Sequence, residues 1–198
     1  KVTQYWTFKT EAGDTPTLPV VVFQVFTLKV YDKFVSLLEK VGPSRVSHLP
    51  RDKNSILTSR TVEHLIREIR NIFEGDPHLG KKMLKELDSL GHLPADPKET
   101  QMLKSLIKMY QAPNSLYLNF YGPPGTITTI PYDEALQPPE TAHPEKKQLD
   151  LPGKAVFVGL SERSESEEKD DFHTVFSQPS GLDISGVEIA ATAFANLL

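Results

Sequence analysis

A short apolar run near the carboxy terminus constrains the fold more than any other feature of the sequence. The run is Lys154-Ala-Val-Phe-Val-Gly-Leu160, and it is apolar without interruption from Ala155 to Val158. A valine-rich run of this length is typical of a strand that is covered on both faces, as in parallel sheets packed between helices. The sequence therefore predicts an α/β architecture with residues 154–160 as a central strand.

Two other segments have strand character. Val2-Thr-Gln-Tyr-Trp-Thr-Phe8 alternates and contains aromatic and β-branched residues, which favour strands. Residues 116–120 form a second apolar stretch, and Tyr121-Gly-Pro-Pro-Gly125 ends it sharply. We expect this second strand to lie beside or near residues 154–160.

Most of the remaining chain has helical periodicity. Apolar residues recur every three or four positions in segments 19–41, 62–73, 76–90, 96–107 and 186–198. Asp76-Pro77 and Asp96-Pro97 are helix starts, each with aspartate as N-cap and proline in the first turn. Glu99 is spaced to complete a capping box, and residues 44–57 have no period and are predicted to be a loop. We therefore predict a partly parallel sheet flanked by helices, with a helical insertion at about residues 59–110, in a single domain spanning residues 1–198.

Charge and composition exclude several functional classes. The chain has 22 basic and 26 acidic residues, for a net charge of −4, whereas nucleic-acid binding requires a basic surface. It contains no cysteine, which excludes disulfide scaffolds, cysteine nucleophiles and thiolate metal sites. Its longest apolar run, residues 20–23, is far shorter than the ~20 residues of a membrane span. We expect no nucleic-acid partner.

Motifs for catalysis, nucleotides and metals are incomplete. Gly159-Leu-Ser161-Glu-Arg163 begins like a nucleophile elbow, but arginine stands where the motif requires glycine. Tyr121-Gly-Pro-Pro-Gly125 lacks the free N–H groups of a phosphate-binding loop, because its two prolines have none. Asp170-Asp171-Phe-His173 offers two ligand types to a cation, but no second histidine completes a spaced set. The sequence therefore predicts no cofactor, no metal site and no catalytic residue.

The carboxy-terminal half resembles a known family. Lys154-Ala-Val-Phe-Val-Gly-Leu-Ser161, Asp170-Asp171-Phe-His-Thr-Val175 and Ser185-Gly-Val-Glu-Ile-Ala-Ala191 occur in the order seen in CHASE domains of the second class, the cyclase/histidine-kinase-associated sensory extracellular domains. Leu118-Asn-Phe-Tyr-Gly-Pro-Pro-Gly-Thr126 and Ile130-Pro-Tyr132 are similar to a further segment of that family. The family's opening strand and helix have no counterpart, so we expect Lys1 to begin partway through such a domain.

The resemblance implies a function outside the cytoplasm. It implies an extracytoplasmic, periplasmic sensory domain of a bacterial inner-membrane receptor, whose output module is an adenylate or guanylate cyclase or a kinase. It further implies a small-molecule ligand, membrane spans in the same parent chain, and transmission through the helix that begins at Gly186; a homodimer is compatible with it. Such a domain has no catalytic residues of its own.

The predicted ligand site follows from the rule that ligands of α/β sheets bind beyond the carboxyl ends of the strands. The predicted ligand-binding residues are Tyr121, Gly122, Gly159, Ser161, Asp171, His173 and Glu188. The glycines also fit tight turns, and Glu188 also fits simple stabilisation of a helix amino terminus. Two alternatives remain open at this point: a stand-alone α/β hydrolase-like enzyme using Ser161, Asp171 and His173, and a structural spacer between receptor subunits.

Overall fold

The protein divides into two compact units. The computed structural model describes residues 1–42, 46–58, 61–89, 96–136, 151–159, 170–177 and 183–198. One unit, here the helical unit, comprises Gln4–Tyr117 and Phe194–Leu198. The other, here the carboxy-terminal unit, comprises Lys1–Thr3 and Leu118–Ala193. The last helix begins in the carboxy-terminal unit, and its final turn belongs to the helical unit.

The helical unit contains six helices and four short strands among the described residues. The helices are α1 (Leu18–Phe26), α2 (Tyr31–Val41), α3 (Lys53–Thr58), α4 (Val62–Gly75), α5 (Leu79–Ser89) and α6 (Pro97–Gln111). The strands are β1 (Gln4–Trp6), β2 (Phe8–Lys9), β3 (Thr15–Pro16) and β4 (Ser115–Tyr117).

The described part of the carboxy-terminal unit has little regular structure. Its elements are α7 (Tyr132–Ala135), β5 (Asp171–Phe172), β6 (Ile184–Ser185) and the start of α8 (Gly186–Leu197). Every strand pair in the described residues is antiparallel and two-stranded: β1 with β4, β2 with β3, and β5 with β6. The fold is therefore mixed α/β as predicted, but the described residues contain no parallel sheet.

The amphipathic segments form the predicted helices. The predicted helix over residues 19–41 is divided by a 3₁₀ turn at Thr27–Val30. The Thr27 hydroxyl donates to the carbonyls of Phe23 (2.9 Å) and Gln24 (3.1 Å), and such back-bonding bends helices. The predicted helices α4, α5 and α6 are confirmed, and each has one strongly apolar face. The predicted start of α5 at Asp76-Pro77 is wrong, because these residues form a turn in which the Asp76 carboxylate accepts the His78 N–H, and α5 begins at Leu79.

The helix starts combine correct and incorrect predictions. The Asp96 carboxylate accepts the Lys98 N–H at 3.0 Å, as an N-cap should. Glu99 does not act as predicted in a capping box; its carboxylate pairs with Lys33 of α2. The loop prediction for residues 44–57 is wrong at its end, where Asp52 accepts two backbone N–H groups and α3 begins.

Three aromatic rings form the centre of the helical unit. Phe34 of α2, Phe73 of α4 and Tyr110 of α6 have centroids 5.6–6.3 Å apart. The Tyr110 hydroxyl donates to Gln24 Oε1 of α1 at 2.6 Å. Burial, and secondarily the nearby Tyr31 phenol, raises the pKa of Tyr110 well above its usual value. Tyr110 therefore remains neutral and acts as a hydrogen-bond donor.

A buried arginine caps the carboxyl end of α6. The Arg70 guanidinium of α4 donates to the carbonyls of Tyr110 (2.6 Å) and Ala112 (2.8 Å) and to Asn114 Oδ1 (3.0 Å). It also donates to Glu74 at 2.9 Å. Since the last carbonyls of a helix lack intrahelical donors, Arg70 supplies the hydrogen bonds that α6 cannot make itself.

The same arginine reaches the amino-terminal strands. Its guanidinium lies over the Phe8 ring, 4.8 Å from the centroid. The carbonyl of Asn114, whose side chain binds Arg70, accepts the Thr7 N–H at 2.8 Å, and the Thr7 hydroxyl donates to Pro113 at 2.9 Å. Arg70 thus joins α4, the end of α6 and the β1–β2 segment.

We expect Arg70→Met to lower the free energy of unfolding by about 3–5 kcal/mol, because it removes four hydrogen bonds and leaves the acceptors at the end of α6 unsatisfied. Arg67→Met, at an exposed position on the same helix, is the matched control and should change it by less than about 0.5 kcal/mol. Equal effects of the two substitutions in chemical denaturation would show that the Arg70 contacts do not stabilise the unit.

The predicted central strand at residues 154–160 is wrong. Residues 154–159 have no strand pairing in the structure, and Leu160 lies outside the described residues. Val156 is 57 % exposed and Val158 is 74 % exposed, whereas Ala155 and Phe157 are half-buried. The segment therefore packs on one face only, and residues 116–120 lie in a different pairing, with Ser115–Tyr117 antiparallel to Gln4–Trp6.

In a central strand, a charge at Val156 would be strongly destabilising. Because Val156 is exposed, we expect a charge there to be tolerated. Val156→Asp should change the free energy of unfolding by only about 0.5 kcal/mol, because its side chain is largely hydrated. Ile184→Asp, at a position in β6 that is 2 % exposed, should cost about 3–5 kcal/mol. A loss of several kcal/mol for Val156→Asp in thermal or chemical unfolding would show that the segment is buried on both faces.

Candidate functional site

Three consecutive residues at the start of α8 each contact a different segment of the carboxy-terminal unit. Gly186 contacts Asp170, Val187 contacts Gly159, and Glu188 contacts Gly125. We call these six residues the helix-start cluster. The cluster gathers segments that are far apart in the sequence around one turn of helix.

One of these contacts requires glycine. A Cβ on Gly159 would lie 2.8 Å from the Cβ of Val187, so Gly159 allows a close approach that a side chain would prevent. The Gly186 N–H donates to the Asp170 carbonyl at 2.9 Å, and a Cβ on Gly186 would displace the exposed end of the Asp170 side chain, whose oxygen it would approach to 2.5 Å.

The third contact is a charged hydrogen bond. The Glu188 carboxylate accepts the Gly125 N–H with both oxygens, at 2.9 and 3.2 Å. Gly125 has a φ of +84°, in the left-handed region that favours glycine. A carboxylate in the first turn of a helix is also favoured by the helix dipole. Glu188 thus serves both the helix and the loop.

The loop that carries Gly125 is a tight turn over residues 122–126. The Thr126 N–H and hydroxyl both bind the Pro123 carbonyl, at 3.1 and 2.6 Å. A Cβ on Gly122 would lie 2.4 Å from the Thr126 hydroxyl oxygen, so Gly122 is required by the turn. Tyr121, immediately before the turn, is 57 % exposed.

Strands β5 and β6 form a short antiparallel hairpin directly before α8. Asp171 of β5 lies opposite Ser185 of β6, directly before the helix begins. His173 Nδ1 lies 3.1 Å from Asp183 Oδ1, and the His173 carbonyl accepts the Val2 N–H at 2.8 Å. Val2 therefore binds the same hairpin.

A comparison with protein families gives a match over much of the chain. The CHASE2 domain model matches residues 64–198, which include most of α4, all of α5 to α8 and every residue of the helix-start cluster. The chain belongs to the CHASE2 domain family. CHASE2 domains are extracellular sensory domains, so the chain is consistent with a sensory rather than a catalytic role. Comparisons with curated proteins and with solved structures found no match.

The structure brings the predicted ligand-binding residues together in part. Glu188 and Gly159 lie at the first turn of α8, and Tyr121 and Gly122 belong to the loop that Glu188 binds. Asp171 and His173 lie on the hairpin that leads into α8. Ser161 lies outside the described residues. Specific contacts also support a structural role for three of these residues. Gly122 lies in a tight turn, Gly159 packs closely against Val187, and Glu188 lies in the first turn of α8.

Sequence reasoning missed three residues of this CHASE2 segment. Asp183 is the carboxylate that pairs with His173, whereas the sequence associated His173 with Asp171. Thr174 is fully buried, and its N–H donates to the Ser177 hydroxyl oxygen at 2.8 Å. The spacing of these two hydroxyl residues is a local capping pattern that the sequence could have revealed.

The described part of the chain contains neither a metal-binding cluster nor a membrane-spanning helix. In that part, no group of three or more histidine or acidic residues is arranged to hold a metal ion. In the same residues, no helix combines the length and apolar character needed to cross a bilayer.

The contact between Glu188 and Gly125 can be tested directly in the CHASE2 domain. We expect Glu188→Ala to accelerate hydrogen exchange of the Gly125 amide by about tenfold, the equivalent of about 1.4 kcal/mol, because that amide loses its charged acceptor. Asp133→Ala, at an exposed acidic position on α7, is the matched control and should leave the Gly125 amide unchanged. Unchanged exchange in Glu188→Ala would mean that another group protects this amide.

Proposed function

We propose that this CHASE2 domain is the ligand-recognition domain of a bacterial inner-membrane receptor, and that it lies in the periplasm. The output module, an adenylate or guanylate cyclase or a kinase, would be carried with the membrane spans elsewhere in the parent chain. The course of α8 is the observation that supports this proposal most directly. Its first turn is the centre of the helix-start cluster, and its last turn packs into the helical unit.

The last turn of α8 has its own set of contacts in the helical unit. The Phe194 ring packs edge-to-face against Phe26 and Phe23 of α1, with centroids 5.5 and 6.3 Å apart. The Ser105 hydroxyl of α6 donates to the Leu198 carbonyl at 2.6 Å, and Leu197 is buried. A residue change or a ligand at one end of α8 therefore acts on a helix whose other end is held by α1 and α6.

Polar residues next to the helix-start cluster suit recognition of a small polar molecule. Asp171 and His173 lie on the hairpin next to α8, and Tyr121 is exposed beside the loop that Glu188 binds. A ligand that bound Glu188 would compete with the Gly125 N–H and release the loop. It could shift the receptor only by the difference between its affinities for the two arrangements.

A thermal-shift screen of metabolites and divalent cations tests the binding part of the proposal. We expect a compound that raises the melting temperature, and we expect Asp171→Asn to weaken its binding by about tenfold or more. Asp133→Asn is the matched control and should bind as the unchanged protein does. A compound that binds equally well to Asp171→Asn, Glu188→Gln and Ser161→Ala would place the ligand site elsewhere in the domain.

Hydrogen exchange with that compound tests the transmission part. We expect protection to change both at residues 186–188 and in the last turn of α8, because one continuous helix connects them. If the amides of residues 194–197 exchanged at the same rate with and without ligand, transmission through α8 would be contradicted, while ligand recognition itself would stand.

A further inference from the structure

The polarity of α1 is the reverse of that expected for a surface helix. Its buried residues are Pro19, Val20, Phe23 and Gln24, so its one polar side chain points into the core. On the opposite face, Leu18 is 58 % exposed and Val25 is 40 % exposed. Val21 and Val22, between them, are half-buried. Surface helices normally present polar or charged residues outward, so this aliphatic face requires an explanation.

These outward residues form one continuous surface. Leu18, Val21, Val22 and Val25 are three and four positions apart and therefore lie in a row along the helix. We call them the α1 stripe. This stripe precedes residues 64–198, which match the CHASE2 family, so it is a feature of this chain in addition to the family match.

Two exposed aromatic side chains extend the patch. The Thr17 hydroxyl donates to the Trp6 carbonyl at 2.7 Å, so Trp6 lies beside the start of the α1 stripe. Trp6 lies opposite Ser115 and Tyr117 opposite Gln4, which places both aromatic residues on the same face of the β1–β4 ribbon. Trp6 is 55 % exposed and Tyr117 is 78 % exposed. Tryptophan and tyrosine are enriched in protein interfaces.

Charges flank the α1 stripe but do not interrupt it. Lys9, Glu11 and Asp14 precede the helix, and Lys29, Asp32 and Lys33 follow it. Within the described residues Glu11, Asp14 and Lys29 form no ion pair, and Lys29 Nζ lies 5.5 Å from the Phe26 ring centroid. The segment before the α1 stripe is therefore acidic by one charge, and the segment after it is basic by one charge.

We propose that the α1 stripe is the contact surface between two copies of this chain, with the two α1 helices antiparallel about a two-fold axis. This arrangement places Leu18 of one copy near Val25 of the other, and the acidic end of each α1 stripe near Lys29 of the other copy. The three-and-four spacing suits packing of one helix against another. A two-fold axis makes the same patch serve both copies, and the exposed Trp6 and Tyr117 side chains are available as further contacts.

A second copy fits this surface better than a lipid bilayer does. Helices that lie on membranes combine an apolar face with basic residues, which attract anionic lipids. Here two carboxylates, Glu11 and Asp14, lie at one end of the α1 stripe. They favour the basic end of another copy and disfavour an anionic membrane.

Sedimentation equilibrium of the 198-residue protein and of charge variants tests the proposal. The unchanged protein should be dimeric at about 100 µM, and Val25→Lys and Leu18→Glu should each weaken the dimer by about tenfold or more, because each buries an unpaired charge. The double variant Leu18→Glu/Val25→Lys should recover most of the affinity, since the antiparallel arrangement brings the opposite charges together. A parallel arrangement would place like charges together and would not recover it.

An introduced charge at another exposed leucine provides the matched control. Leu57 of α3 is 48 % exposed, and Leu57→Lys should leave the dimer unchanged. Because the chain has no cysteine, Val22→Cys at the middle of the α1 stripe should also give a disulfide-linked dimer on mild oxidation. Leu57→Cys should not do so.

Three results would overturn the proposal. The first is a protein that remains monomeric at about 100 µM, where complexes with a Kd of ~10 µM form readily. The second is a dimer that persists in both Val25→Lys and Leu18→Glu, which would place the interface on another surface. The third is a monomer that binds vesicles of phosphatidylglycerol and phosphatidylethanolamine, with binding lost in Val25→Lys, which would make a lipid surface the occupant.

Discussion

The helical unit depends on a single buried guanidinium. A buried charge is tolerated only when its hydrogen bonds are satisfied, and Arg70 meets this condition with acceptors that themselves need a donor. Those acceptors are the last carbonyls of α6 and the Asn114 side chain at the point where the chain turns into β4. Because β4 sets the register of β1, the position of the amino-terminal strands follows from the position of α4.

α8 illustrates how one helix meets two different requirements. At its start it needs close backbone approach, which Gly159 allows, and a carboxylate for the Gly125 N–H. At its end it needs apolar area, which Phe194 and Leu197 supply. The Thr192 hydroxyl between these ends donates to the Glu188 carbonyl at 2.8 Å.

Local patterns predicted the helices well, and pairing between distant strands was not predicted. The α4, α5 and α6 helices were identified because their periodicity lies within each segment, whereas α3 was missed although Asp52 is a plain N-cap. The run at residues 154–160 was misread because an apolar stretch specifies burial but not the strand that covers it. Within residues 154–159, the part of the run that the structure describes, only Ala155 and Phe157 are partly covered. For the candidate site, motif order identified segments that meet at the start of α8, but a backbone N–H such as that of Gly125 has no sequence signature.

The sequence also does not determine which face of α1 is buried. Its sequence, Leu18-Pro-Val-Val-Val-Phe-Gln-Val-Phe26, is apolar on nearly every side, so periodicity alone cannot determine which face turns inward. The structure resolves this through one hydrogen bond, from the buried Tyr110 hydroxyl to Gln24 Oε1 at 2.6 Å. Burying Gln24 satisfies the Tyr110 donor, whose loss in a dry core would cost about 1–3 kcal/mol, although Gln24 Nε2 has no hydrogen-bond partner among the described residues. The same orientation buries Val20 and Phe23 completely and turns Leu18 and Val25 outward. The exposed aliphatic surface therefore accompanies both the polar contact and the apolar packing on the inner face of α1.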